Sequence, residues 1–200
     1  MTVDDHDAEV LADFRAADAL LEGHFILSSG KHSPAYLQCA RVMMNPERAG
    51  RLCAALADKL RVAHGEEAFD LCVSPAMGGV IVAYEVARQL SLPSDFAERV
   101  EGSFVFRRGF DIPAGARCLM VEDVVTTGLS SRECIAAIEG AGGTVIGGAA
   151  LVDRSGGTAD IGVTLTALVS LTIPVYAPDE IPESLAAIPA IKPGSRGLRT

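Results

Sequence analysis

One stretch limits the fold of this chain more than any other. Residues 118–131 read Cys-Leu-Met-Val-Glu-Asp-Val-Val-Thr-Thr-Gly-Leu-Ser-Ser. The first four residues form an apolar run, the pattern of a buried parallel strand. Glu122 and Asp123 follow, where that strand is expected to end. Val124 and Val125 then lead into a small, hydroxyl-rich turn of Thr126, Thr127, Gly128, Leu129, Ser130 and Ser131. From about 131 to 141, Cys134, Ile135 and Ile138 recur at helical spacing, and Gly140 stands near the stop.

A strand, a tight turn and a helix N-terminus together make an anion site. Backbone N–H groups point outward there, and the helix dipole adds positive potential. Gly128 lets the backbone approach a phosphate closely. The threonine and serine hydroxyls add donors without adding charge. Glu122 and Asp123 cannot bind that phosphate, but they suit a sugar diol or the water on a magnesium ion. The stretch therefore calls for a phosphorylated sugar.

This block resembles the phosphoribosyl pyrophosphate motif of the type I phosphoribosyltransferases: apolar residues, two acids, more apolar residues, then a Thr-x-Gly turn. The resemblance implies an α/β fold with a central, mostly parallel sheet flanked by helices, and a small N-terminal hood. It covers roughly 20–171 of the 200 residues. One domain is expected, with the hood mainly in 1–40, the core in about 45–173 and an extended tail in 174–200. A chain of this length is long enough to bury a sizeable core.

Upstream, Val10, Leu11, Phe14, Ala17 and Leu21 keep helical spacing, and Gly23 is expected to end that helix. Two short extended runs then flank Ser29-Gly30-Lys31-His32-Ser33, which reads as a hairpin. This flap is similar to the hood of orotate phosphoribosyltransferases, with a Ser-Gly-basic-x-Ser-Pro turn and then an aromatic. The similarity implies that Lys31 and Tyr36 lie near the base. A solvated turn lysine would give Lys31 the same appearance, and Tyr36 reads more readily as partly buried packing. Members of that family often carry lysine where Ser28 stands. His24 and His32 are read as surface or turn residues.

Asn45 and Pro46 look like a cap and a first-turn proline for a helix with Leu52, Leu56 and Leu60 on one face, ending by Gly65. A second buried-type strand, 69–73, feeds Ser74-Pro75-Ala76-Met77-Gly78-Gly79 and a helix from about 80 to 90. Strand, glycine-bearing turn and helix again make an anion site. The resemblance puts pyrophosphate there. Orotate enzymes often have lysine where Gly78 stands, so backbone amides and magnesium are left to hold the leaving group.

A strand near 95–98, a turn at Glu101 and Gly102, and a strand through Phe104 and Phe106 are expected next. The family places a mobile loop here, with cations that reach the neighbouring subunit. This chain keeps Arg99 but has Val100, Glu101 and Gly102 where lysines are usual. Arg99 is the first candidate for a cation on the departing pyrophosphate and Arg108 the second. Surface charges or dimer contacts are the competing reading of both.

The apolar strand 143–152 ends in Asp153-Arg154-Ser155-Gly156-Gly157. The resemblance implies that Arg154 meets the base, and a guanidinium fork suits the carboxylate of orotate. Chemistry thus follows three strands, and parallel sheets bind ligands at their carboxyl ends. One more strand is expected at 167–172. Beyond Pro174, repeated prolines suit an extended tail with one short helix at most. Lys192-Pro193-Gly194-Ser195-Arg196 has no role assigned by physics.

The implied activity is orotate phosphoribosyl transfer from phosphoribosyl pyrophosphate in pyrimidine biosynthesis. Magnesium is expected as cofactor, held mainly through substrate and water and not by direct protein ligands. A homodimer is expected from the family. Two alternatives share the central motif: a purine phosphoribosyltransferase, which should lack this hood, and a non-catalytic sensor of phosphoribosyl pyrophosphate. A dinucleotide-binding dehydrogenase fails on pattern, since Gly140-Ala141-Gly142-Gly143 precedes a strand and lacks the third glycine. The net charge of −9 disfavours broad nucleic-acid binding. Five cysteines without metal spacing, an acidic N-terminus and the lack of a long apolar run lead to the expectation of a soluble, cytoplasmic protein without a membrane partner.

Overall fold

The computed structural model describes residues 5–27, 29–107 and 109–193. In order, its elements are α1 (Asp5–Ala16), β1 (Leu20–Ile26), β2 (His32–Leu37), α2 (Cys39–Val42), α3 (Pro46–His64), β3 (Leu71–Pro75), α4 (Gly79–Leu90), β4 (Ser94–Val100), β5 (Ser103–Val105), β6 (Arg117–Val125), α5 (Leu129–Gly140), β7 (Thr144–Asp153), β8 (Leu165–Ser170), α6 (Glu183–Ala186) and β9 (Ala190–Ile191). The main sheet has six strands in the order β5-β4-β3-β6-β7-β8. All its pairings are parallel except β4 with β5.

The chain runs outward from β3 to β4 and β5, then returns to the other side of β3 as β6. Strand order therefore reverses between β3 and β6, and a crevice opens at their carboxyl ends. Both faces of the sheet are covered, so β6 reads as a continuous apolar run. Its side chains still alternate. Leu119 and Val121 join a core with Leu52, Leu56 and Leu60 of α3 and Val82 and Val86 of α4. Cys118 and Met120 join the opposite core with Cys134, Ile135 and Ile138 of α5.

Local rules hold where the spacing was clear. Asn45 caps α3 by accepting from the Arg48 N–H at 2.9 Å, Pro46 takes the first turn, and Gly65 closes the helix at φ +96°. Such a cap contributes ~1 kcal/mol. The first helix is shorter than its apolar spacing suggests. It stops at Ala16, Asp18 turns the chain at φ +49°, and Leu21 and Gly23 belong to β1. Pairing of β1 with β2 overrides the helical register of those residues.

The hairpin β1–β2 forms a second sheet with β9, in the order β2-β1-β9. Its third strand comes from the tail, which doubles back. This path also revises the reading of the histidines. His24 is buried, with Nδ1 donating to the Ile188 carbonyl at 2.9 Å and Nε2 lying 2.6 Å from His32 Nδ1. A carbonyl can only accept, so a neutral His24 ring must take its second hydrogen bond from His32. The pair ties hood to tail and is not a surface feature.

Among the described residues, no helix is long and apolar enough to cross a membrane.

Candidate active site

The strand β6 does not end at its acids. Pairing with β7 continues to Val125 opposite Asp153, so Glu122 and Asp123 both lie within the strand. Neighbours on a strand project to opposite faces, and these two do. Glu122 turns toward α5 and accepts a short hydrogen bond from the Ser131 hydroxyl. Asp123 turns toward the β3–α4 loop: a Cβ added at Gly78 would sit 2.9 Å from each of its carboxylate oxygens. The expected acidic pair is therefore two separate carboxylates, one on each side of the crevice.

Burial raises both carboxyls above their usual range. For Glu122 the Ser131 and Ser130 hydroxyls pull against that rise, and the charge of Asp123 adds a little to it. For Asp123 backbone N–H donors oppose it. Among the described residues, no cation offsets the desolvation of either carboxyl.

The turn after β6 is built for close approach. Gly128 has φ +74°, and a Cβ there would lie 2.8 Å from Ile161 Cγ2. The Thr127 hydroxyl accepts from the Leu129 N–H at 3.4 Å. Arg132 braces the turn from outside through the Thr127 and Asp160 carbonyls. A cavity of about 250 Å³ opens here, lined by Glu122, Val124, Thr126, Thr127, Gly128, Leu129, Ser130 and Ser131, and by Arg99 and Glu133. Val125 is buried beneath it.

Arg99 thus reaches this cavity, but it is engaged. Its guanidinium pairs with Glu133 at 2.5 Å, donates to the Gly102 carbonyl at 2.6 Å and stacks 4.2 Å above the Phe104 ring. It ties the β4–β5 hairpin to α5 at the rim of the turn. Arg108, the second candidate cation, and Ser28 lie outside the described residues.

The β3–α4 loop holds its shape by contact instead of charge. A Cβ at Gly79 would lie 2.9 Å from the Val121 carbonyl and 3.0 Å from Ser74 Cβ, so only glycine lets α4 start this close to β6. Ser74 and Pro75 are buried at the strand end, Ala76 is half-buried, and Met77 and Gly78 are exposed. The Ala76–Met77 peptide is cis. The Ser74 hydroxyl is buried without a hydrogen-bond partner among the described residues.

Arg154 follows β7, and its N–H donates to the Val125 carbonyl at 2.8 Å, which joins this strand end to the turn. Asp153, which sequence reasoning noted only as a neighbour, fixes the loop beyond it. Its carboxylate accepts from the Ser155 N–H, the Ser155 hydroxyl and the Gly157 N–H at 2.6–2.8 Å. The Asp-x-Ser spacing was the readable signal for this Asx turn. Arg154 Nε is buried with no hydrogen-bond partner among the described residues. Burial lowers the pKa of this guanidinium, while Cys39 and Tyr36 act to raise it. Cys39, missed in the sequence, feels both Asp123 and Arg154, so all three share one neighbourhood.

A second cavity, about 320 Å³, contains Arg154, Tyr36 and Ser29, and also Lys192 from the tail. Lys31 is exposed on the hairpin turn and does not line it. Tyr36 packs tilted against Phe25, with ring centroids 5.8 Å apart.

Buried polar atoms are almost always satisfied in folded proteins. Ser74 Oγ and Arg154 Nε are exceptions at two of the three strand ends, where a ligand would supply the partner. Among the described residues, no cluster of three His, Cys, Asp or Glu side chains could hold a metal alone. Two single carboxylates flanking an anion site fit magnesium, which keeps several waters and substrate oxygens.

Residues 45–172 match the model of the phosphoribosyl transferase domain. The chain is 60% identical over 193 residues to the orotate phosphoribosyltransferase of Sphingopyxis alaskensis, covering 96% of this chain and 98% of that protein. The chain belongs to the orotate phosphoribosyltransferase family. It is also 57% identical over 199 residues to the Caulobacter vibrioides orotate phosphoribosyltransferase, with full coverage of both. Among solved structures, the orotate phosphoribosyltransferase of Aeropyrum pernix superposes with a TM-score of 0.68 at 26% identity, covering 81% of this chain and 93% of that one. The expected fold, a mostly parallel sheet with an N-terminal hood, is the one observed.

Proposed function

We propose that this chain transfers the 5-phosphoribosyl group from phosphoribosyl pyrophosphate to orotate, giving orotidine 5′-phosphate and pyrophosphate in pyrimidine nucleotide synthesis. The observation that carries this reading is the meeting of the Thr126–Ser130 turn with Arg154, whose buried Nε has no partner among the described residues, on one edge of the sheet. The turn holds the 5′-phosphate with backbone N–H groups and hydroxyls. Asp123 and Glu122 accept from the ribose hydroxyls. The loop of Ser74, Pro75, Ala76, Met77, Gly78 and Gly79 receives the pyrophosphate. Thr126 and Arg154 orient orotate, with the guanidinium on its carboxylate.

The negative charge of orotate lies on its carboxylate, and the proton on the ring nitrogen is displaced as the new bond forms. The departing pyrophosphate can take that proton, so no protein side chain is assigned as general base. The bond from the anomeric carbon to pyrophosphate breaks as the bond to the base nitrogen forms, and the sugar passes through oxocarbenium character. The residues contribute positioning, exclusion of water and fixed charge. Magnesium, when bound, neutralises the leaving pyrophosphate, and the carboxylates would accept hydrogen bonds from its water.

A homodimer fits the exposed apolar residues Ile81 and Tyr84, three apart on α4. Sedimentation at the mass of a single chain would remove it from the proposal. Five buried, unpaired cysteines suit a reducing cytoplasm.

The test is incubation with phosphoribosyl pyrophosphate, magnesium and one nucleobase at a time. Orotate should be consumed, and adenine and hypoxanthine should not. Consumption of a purine, or binding of phosphoribosyl pyrophosphate without turnover of any base, would overturn the assignment.

A further inference from the structure

The cavity beside Arg154 contains a residue that the reaction described above does not use. Lys192 lies beyond every strand of the main sheet, in a tail punctuated by prolines. Three contacts set the path of that tail. Leu185 of α6 is buried, the Ile188 carbonyl receives His24, and β9 pairs in parallel with β1 at His24 and Phe25. Lys192 is the next residue after β9, so it is delivered to the cavity that Tyr36 and Arg154 already line.

This placement has an electrostatic consequence. Two cationic side chains face one cavity, and none of the described residues lining it is acidic. Arg154 is already partly stripped of water there. An anion that enters this cavity meets both residues, and its attraction to them is stronger in a space partly closed to water. The two cations also differ in kind. Arginine offers a planar fork, and lysine offers a compact charge on a flexible stem.

We propose that Lys192 is a specificity-determining residue of the base site, a second cation that holds the anionic pyrimidine against Arg154. The proposal rests on orotate being the acceptor, as argued above. It gives the folded-back tail a function: the tail adds a second cation to the base site.

The test is steady-state kinetics on full-length Lys192→Ala and Lys192→Arg, with orotate and phosphoribosyl pyrophosphate varied separately. Loss of a charge-assisted hydrogen bond should raise the orotate KM roughly 10- to 100-fold in the alanine variant. The KM for phosphoribosyl pyrophosphate should stay within about twofold, and arginine should restore most of the loss. Inhibition by uracil, which lacks the carboxylate, should not change. A strut role predicts otherwise: a lower melting temperature, both KM values raised in parallel, and no rescue by arginine. That result, or an unchanged orotate KM, overturns the proposal. If the wild-type protein consumes no orotate, the functional reading fails first, whatever Lys192 does.

Discussion

The two cavities at the carboxyl edge of the sheet are assembled in different ways. Most of the cavity at the β6–α5 turn comes from one run of sequence, Glu122 to Glu133, with Arg99 the contributor from elsewhere. The cavity beside Arg154 draws on three distant segments: the hood hairpin, the end of β7 and the tail. The first takes its shape from backbone conformation and close approach, the second from the folding of separate pieces onto each other. A substitution in the first should therefore disturb backbone and chemistry together. One in the second should remove chemistry and leave the fold intact.

The largest expected effect tests that contrast at Gly128. Gly128→Ala places a Cβ at φ +74° and 2.8 Å from Ile161 Cγ2. The left-handed conformation costs a non-glycine residue about 1–2 kcal/mol, and overpacking adds about 1–3. Thermal melting should show a clear loss, and affinity for phosphoribosyl pyrophosphate should fall at least tenfold with it. Wild-type stability and affinity in this variant would break the comparison.

Arg154→Met should behave oppositely. Turnover of orotate should fall on the order of 10- to 100-fold, the worth of hydrogen bonds to a charged group. Binding of phosphoribosyl pyrophosphate by calorimetry should persist. The melting temperature should not drop, because the substitution removes a buried guanidinium nitrogen without a partner among the described residues. A large loss of stability would show that Arg154 braces the fold.

Arg99 stands between the two cases, since it joins the turn cavity from another strand. Arg99→Ala loses an exposed ion pair and a ring contact, together about 1 kcal/mol. If its charge also stabilises departing pyrophosphate, kcat should fall roughly tenfold or more. Glu133→Gln removes the same ion pair but keeps the guanidinium, and should leave kcat within about twofold. Equal losses of kcat in both variants would reduce Arg99 to a structural tie.

The smallest effect concerns pH. Burial raises the Asp123 carboxyl, so the folded chain holds this proton at a pH where the unfolded chain has lost it. The contribution to stability is then full below the ordinary carboxylate pKa and is lost as pH rises through the raised one. Asp123→Asn should melt higher than wild type above that window, and the gap should close as pH falls through it. A gap that widens toward acid would reverse the sign of the argument. Binding of the sugar needs the charged form, so affinity for phosphoribosyl pyrophosphate should weaken over the same fall in pH.

What could be read in the sequence follows from how far each pattern reaches. Asn45 and Pro46 began a helix, 118–121 began a strand, and Thr126 to Ser130 made a turn, because each depends on neighbours within a few residues. The acids were placed at a strand end because the extent of β6 depends on its pairing with β7, which a single segment does not carry. Leu21 kept helical spacing yet joined a strand for the same reason. His24 looked like a turn residue until the tail covered it.

The sequence by itself determined the chemistry of the rim: hydroxyls, glycines and carboxylates after parallel strands, and a family whose enzymes act on a phosphorylated sugar. The tertiary structure alone decided that pairing with β7 carries β6 through Glu122 and Asp123, and that Lys192 shares a cavity with Arg154. Strand pleat and turn geometry are set by adjacent bonds. Which distant side chains meet is set by where long-range pairing and packing bring the chain back.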